Sequence, residues 1–231
     1  PEYLEHPPLE PVFETFDPPA QRSAKIELHT SFPMPRVWFL NSEGTELVQI
    51  QGTRFIHNWR AGPRGEEYPR YSNNRKRFNE RVGRFTEFLR KEKLGELSIN
   101  QCEITYVNHI YAEDGWERWG ELENVFSPWT GEYSDDFLKE PEDCRIHVRY
   151  VIPDASGSPI GRLHVSVDPH VALSGNKQLF VMKLTARGRP IGEGLDGALR
   201  FIDIGHEWIV RGFTSFTTKA MQNIWGRKDV G

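Results

Sequence analysis

The sequence is poor in the features that mark several large protein classes. Its 231 residues include two cysteines, Cys102 and Cys144, which lack the close spacing of a zinc site and are too few for a disulfide framework. No run approaches the roughly 18 consecutive apolar residues of a membrane-spanning helix. We therefore expect a cytoplasmic protein with two reduced thiols, without a metal, a cofactor or a membrane partner.

Catalytic signatures are also missing from the sequence. It contains no GxSxG elbow, no Walker loop, no GxGxxG segment after a strand and no HExxH pair. The eight histidines are scattered along the chain, and no pair combines metal-ligand spacing with a nearby carboxylate. These absences leave catalysis open but favour a protein that is not an enzyme.

Aromatic residues are plentiful, which argues for a folded chain. Seven Trp, seven Tyr and fourteen Phe are far more than disordered chains carry, so disorder over most of the length is excluded. The net charge of −4 argues against a protein that binds polyanions over its whole surface.

The first half of the chain predicts a β-meander. Residues 36–40 and 46–51 flank a turn sequence, and residues 54–60 continue as the next strand. Two earlier strand candidates, 12–16 and 24–29, lie within a proline-rich stretch.

A long helix is predicted after this meander. Apolar residues recur at helical spacing over about 73–93, and Ser72 precedes them as a candidate N-cap. A strand over 98–110 follows, rich in Ile, Tyr, Val and Thr.

The second half repeats this plan of strands followed by a helix. Alternating patterns predict strands over 145–152, 161–167 and 178–187. A long amphipathic helix over about 194–213 and a short one over about 218–225 follow them.

An acidic segment, 112–143, separates the two halves. It holds eleven acids against Arg118 and Lys139, with aromatic residues interleaved, and we expect a long loop that the aromatics pin to the body. The predicted fold class is α+β, with antiparallel sheets packed on two long amphipathic helices. It forms a single domain of pseudo-halves 1–111 and 144–231.

Polar and aromatic residues cluster at the end of the strand predicted over 54–60 and just after it. The candidate binding residues of this rim are Asn58, Trp59, Arg60, Tyr68, Arg70 and Tyr71. Trp, Tyr and Arg are the side chains that most often anchor interfaces. The alternative is structural, with Trp59 and Tyr71 covering the helix and Arg60 holding the acidic loop.

The strand over 98–110 carries polar residues on both of its faces. Glu103 and His109 share one face, and Tyr106 and Asn108 share the other. We add Tyr106 and Asn108 to the binding candidates. Glu103 and His109, with His206 from the long second helix, are acid–base candidates if a cleft separates the halves. An ordinary solvent-facing sheet surface would show the same pattern.

The first long helix is strongly basic. Between residues 72 and 95 the net charge is +5, and Arg77, Arg81 and Arg84 are candidates for contact with a nucleic-acid backbone. The same charge would also suit the acidic segment of this chain or of a neighbour.

Four segments of the chain, taken in order, form a set of motifs that can be compared with a known family. They are RFIHNWR at 54–60, YPRY at 68–71, QCEITYVNHI at 101–110 and HEWIV at 206–210. In these segments the chain resembles a bacterial protein family described as sporadically distributed and of unknown function. The resemblance implies no activity. Its scattered occurrence implies horizontally moved genes such as defence or toxin–antitoxin loci.

Taken together, these features predict a non-catalytic binding protein that engages a protein partner or a second copy of itself. One alternative is a small-ligand-binding or enzymatic domain with a cleft between its halves. The other is nucleic-acid binding through the basic helix over 75–93.

Overall fold

Two antiparallel sheets of four strands each, with four helices, make up the described part of the chain, so the predicted α+β class is confirmed. The computed structural model describes residues 2–16, 34–62, 65–113, 115–173 and 175–226. The chain divides into two compact units, Pro1–Ser98 and Ile99–Gly231. None of the helices in the described ranges combines the length and the apolarity needed to cross a bilayer.

The first unit is a four-stranded meander with one long helix. Its elements are β1 (Glu2–His6), β2 (Arg36–Leu40), β3 (Glu46–Gln51), β4 (Arg54–Trp59) and α1 (Arg70–Lys91). Strands adjacent in the chain are adjacent in the sheet. Between β2 and β3, the Asn41 side-chain oxygen accepts the backbone N–H groups of Thr45 and Glu46 at 2.9 and 3.0 Å. This turn fixes the hairpin that the sequence predicted.

Two details of the first unit differ from prediction, and a third prediction is not tested. Residues 12–16 contain no strand, whereas β1 pairs with β2 across a long stretch of chain that local patterns do not bridge. Helix α1 begins at Arg70 without a side-chain cap, so Ser72 is not its N-cap. The candidate strand 24–29 lies outside the described residues.

Helix α1 packs on its sheet along a narrow stripe. The ring of Phe55 on β4 lies 5.4 Å from that of Phe85 and 6.1 Å from that of Phe78. Val82 is the one residue of this helix that is fully buried. The prediction of two long bracing helices is therefore only partly confirmed, because α1 contributes few buried residues.

The second unit is built on a longer sheet. Its strands are β5 (Cys102–Tyr111), β6 (Ile146–Pro153), β7 (Pro159–Val171) and β8 (Gln178–Gly188), in the spatial order β5-β8-β7-β6. Its helices are α2 (Leu122–Val125), α3 (Gly194–Phe216) and α4 (Lys219–Ile224). Strand β5 pairs with β8 along its whole length. The strand predicted over 98–110 is thus an element of the second sheet and does not extend the first meander.

The acidic segment 112–143 is only partly a loop. It contains α2, and the side chains of Trp116 and Phe126 are buried in the core of the second unit. Phe137, in contrast, is 84% exposed. Aromatic residues therefore hold the first part of the segment against the sheet, while its acidic later part faces solvent.

Small residues line the contact between helix α3 and the second sheet. Gly161 on β7 is directly opposite Gly188 on β8, and the buried ring of Phe201 covers this glycine pair. A methyl group added to Gly161 would lie 2.7 Å from the Phe201 ring. On the helix, a methyl group added to Gly205 would lie 2.8 Å from the Ile104 side chain.

Replacing Gly188 with alanine should loosen this contact. The new methyl group would clash with the Phe201 ring and with the backbone oxygen of Ile160, so we expect a loss of about 1–3 kcal/mol in the free energy of unfolding. The matched control is Gly83→Ala in α1. A methyl group there meets no atom within 4 Å, and it should stabilise the helix by up to about 1 kcal/mol.

Amide hydrogen exchange in urea, followed by mass spectrometry, measures both effects because it follows each unit by its own peptides. Unchanged protection of the β7 and β8 amides in Gly188→Ala would show that the ring does not rest on the glycine pair.

Candidate binding surfaces

Within the described part of the second unit, one face of its sheet packs on α3 and the other face carries no helix of that unit. Even-numbered residues of β5 point to α3, and odd-numbered residues point away and are exposed. We call the face opposite α3 the open face. Its charged residues and histidines are Glu103, His109, His147, Arg149, Arg162, His164, Asp168, His170, Lys183 and Arg187.

Polar side chains pair in rows across this open face. Glu103 accepts a hydrogen bond from Arg187 Nε at 2.6 Å, and the hydroxyl groups of Thr105 and Thr185 lie 2.9 Å apart in the next row. Four arginine or lysine residues stand against two carboxylates, so the face is net positive on a chain of net charge −4.

The strand register also brings together histidines that look scattered in the sequence. Four of the eight lie on the open face, and the rings of His147 and His164 are stacked 6.3 Å apart. Sequence reasoning missed this grouping, because it depends on which strands pair. Among the described residues, no group of three metal-ligating side chains is close enough to hold an ion.

The three acid–base candidates do not meet. Glu103 and His109 lie on the open face, six positions apart along β5, which corresponds to about 20 Å. His206 lies on the opposite side of the sheet, where Tyr106 contacts it. The expectation that these three residues converge on one cleft is therefore wrong, because the alternation of β5 separates them.

Tyr106 and Asn108, two of the binding candidates, point to the covered side of the sheet. The Tyr106 hydroxyl lies 3.0 Å from His206 Nδ1, and the Asn108 amide donates to the Met182 carbonyl at 3.5 Å. Burial lowers the pKa of His206 below its usual range, and the carboxylate of Asp203 opposes this shift only in part. The contacts join β5 to α3 and to β8.

The rim residues of the first unit lie on two sides of its sheet. The rings of Trp59 and Tyr68 meet edge to face at 5.2 Å, on the side that also carries α1. Asn58, its neighbour in β4, points to the other side, where its side-chain oxygen accepts from the Gln49 amide at 2.5 Å.

The remaining rim residues have local roles in the fold. Arg60 Nε donates to the Gly44 carbonyl at 3.0 Å and thereby closes the turn between β2 and β3. Arg70 adopts a left-handed backbone conformation (φ 67°) at the start of α1, and Tyr71 is half-buried beside it. Arg60 therefore has a structural contact, but its partner is this turn, whereas the structural alternative named the acidic segment.

Two of the three candidate nucleic-acid contacts on α1 are already engaged. Arg77 and Arg81 both pair with the carboxylate of Glu46 on β3. His57 lies beside this cluster, and its burial lowers its pKa. The charge of Glu46 raises the pKa, whereas the charges of Arg81 and Arg77 lower it, and the net shift is downward. Arg84 is exposed on the same helix.

A shallow hollow and the two thiols lie outside the set of candidate residues. The hollow is lined by Tyr133, Ser134, Asp135, Asp136, Leu138 and Lys139, so it is formed by the acidic segment and includes none of the candidate residues. Both cysteines are free, and burial raises the pKa of the Cys102 thiol to about 12. A thiol with so high a pKa is a poor nucleophile at neutral pH.

Comparisons with known proteins yield no match, since no family model, no curated protein and no solved structure is similar to this chain. The family resemblance of the four sequence segments stays a prediction.

The burial of His206 predicts a pH dependence of stability. Its folded pKa is lowered, so below the ordinary value of about 6.5 the unfolded chain takes up a proton that the folded protein resists. Stability is therefore complete above this pH and falls as the pH drops towards the folded pKa. Urea unfolding at pH 7.5 and pH 5.5 should show a smaller loss in His206→Gln than in the wild type. An equal loss of stability in the wild type and in His206→Gln would contradict the assignment of this pH dependence to His206.

Proposed function

We propose that this chain is a non-catalytic binding protein that engages a protein partner through the open face of its second sheet. The proposal rests on one observation, which is how the alternation of β5 distributes polar side chains between the two faces of the sheet. His206 is held on the opposite side of the sheet from Glu103 and His109, whereas the open face offers adjacent rows of paired polar side chains.

The charge of the open face indicates the chemistry of the partner. Arg149 and Lys183 are exposed, while the Glu103 carboxylate is engaged by Arg187. An acidic protein surface would be attracted to this face and would gain specificity from the arrangement of charges. Val107, which is 56% exposed, adds an apolar contact at the β5 side of the face.

The resemblance to a sporadically distributed bacterial family supplies the context of this proposal. Genes of scattered occurrence are typical of defence and toxin–antitoxin loci, where small proteins bind co-encoded partners. The proposal places the protein in the cytoplasm, and the free thiols Cys102 and Cys144 suit that reducing compartment.

Nucleic-acid binding through α1 is the second candidate. The exposed Arg84 and the net positive charge of the helix favour it. The pairing of Arg77 and Arg81 with Glu46 weakens it, because those two arginines would have to leave a carboxylate to reach a phosphate.

Site-specific photo-crosslinking in the native host tests the proposal. A benzophenone amino acid replaces His147, which is exposed on the open face at the β6 side. We expect a discrete crosslinked protein, lost when Arg149→Glu and Lys183→Glu are introduced together. The matched control carries the same amino acid in place of Ser156, in the exposed turn between β6 and β7, and should give no such product.

Two results would contradict the proposal. One is a crosslink that survives both charge reversals, since the basic residues would then not select the partner. The other is the absence of a protein crosslink at position 147 together with salt-sensitive binding of a labelled DNA duplex by the purified protein, which would support α1 instead.

A further inference from the structure

Among the described strands, β5 forms an edge of the second sheet, and its outer backbone groups face no neighbouring strand. The Ala112 N–H donates to the Gln178 carbonyl at 2.9 Å, one position beyond the paired residues Tyr111 and Leu179 at the end of the ladder. Because hydrogen-bonded pairs alternate along antiparallel strands, even-numbered residues of β5 bond to β8. The outward-facing N–H and C=O groups belong to Glu103, Thr105, Val107, His109 and Tyr111. All five residues are exposed.

Apart from the charge of Glu103, this edge lacks the features that normally prevent pairing with another chain. β5 is ten residues long, contains no proline, glycine or lysine, and pairs with β8 without a bulge. The opposite edge, β6, ends at Pro153 and has a register irregularity beside Ile152. Within the described ranges, no outward-facing N–H of β5 donates to a loop or turn. The two edges are therefore not equivalent, and β5 is the one open to a further strand.

We propose that β5 pairs antiparallel with β5 of a second copy of this chain, across a two-fold axis at Val107. In this register Thr105 faces His109 of the second copy and Glu103 faces its Tyr111. All five outward residues of each copy then find partners, which gives about ten backbone hydrogen bonds. The two sheets become one continuous sheet of eight strands.

The side chains of β5 suit pairing with themselves in this register. Glu103, the one acid on the strand, lies diagonally opposite the His109 imidazole of the second copy and directly opposite the Tyr111 hydroxyl. No like charges face each other. On the side of α3, Ile104 faces Ile110 of the second copy, and on the open face the exposed Val107 side chains cover each other.

The inference goes beyond the proposed function, because the groups that pair are the backbone N–H and C=O groups of the strand edge, and Val107 is the one side chain that both proposals use. Self-pairing can be measured with the purified chain alone. Its outcome is therefore independent of whether an acidic protein partner is found.

Sedimentation equilibrium of the full chain tests the dimer. The wild type should approach twice the chain mass of 26.8 kDa as its concentration rises. Val107→Lys should raise the dissociation constant at least tenfold, because two lysines would meet on the axis. The matched control is Val151→Lys, an exposed valine of the open face on the β6 edge, which is 46% exposed against 56% for Val107. It should leave the dimer unchanged.

A second variant covers the case in which Val107→Lys fails to fold. In a Cys144→Ser background, Val107→Cys should form an intermolecular disulfide under mild oxidation, because opposed residues in a hydrogen-bonded pair lie at disulfide distance. Val151→Cys in the same background should not. A wild type that stays monomeric at all concentrations, equal dissociation by both lysine variants, or equal crosslinking by both cysteine variants would overturn the inference.

Discussion

The second unit depends on one contact, in which the Phe201 ring packs on two glycines that lie opposite each other in the sheet. Gly161 and Gly188 leave a flat area on the sheet because neither has a side chain, and the ring fills it. Gly205 lets the helix approach the sheet closely one turn further on. Close packing of this kind makes the position of α3 specific, since a helix displaced along its axis would place Phe201 against side chains instead of glycines.

Because α3 covers one face of the sheet, each residue of β5 points either under the helix or to the exposed face. Tyr106 is directed under α3, where its hydroxyl meets His206, a histidine whose pKa is lowered by burial. Glu103 and His109 are directed away from the helix and are too far apart to act on one substrate atom. The same alternation leaves a polar open face and an unpaired outer edge. The alternation of β5 therefore separates the acid–base candidates and also creates the two surfaces on which our two proposals rest.

Local patterns could predict the elements but not their partners. The hairpin of β2 and β3 was predictable because Asn41 supplies the turn chemistry within a few residues. Helix α3 was predictable from its apolar periodicity. The pairing of β5 with β8 was not, because the two strands are separated by the acidic segment and by β6 and β7. The start of α1 was misplaced because no side chain caps it.

For the candidate site, too, local patterns identified single residues but not the residues that lie beside them in the fold. Individual residues such as Glu103, His109 and Tyr106 were identified from composition, and the alternation that separates them was visible in the sequence. The grouping of His147 with His164 and the rows that join Glu103 to Arg187 depend on strand register, which is set by long-range packing. The glycine pair beneath Phe201 could not be recognised for the same reason.

Nuclear Overhauser contacts between the Phe201 ring and the α-protons of Gly161 and Gly188 provide the most direct test of how α3 divides the sheet into a covered and an open face. The account predicts strong contacts from one ring to both glycines, with their α-protons shifted upfield by the ring current. Contacts to only one glycine, or α-protons at ordinary glycine positions, would contradict it.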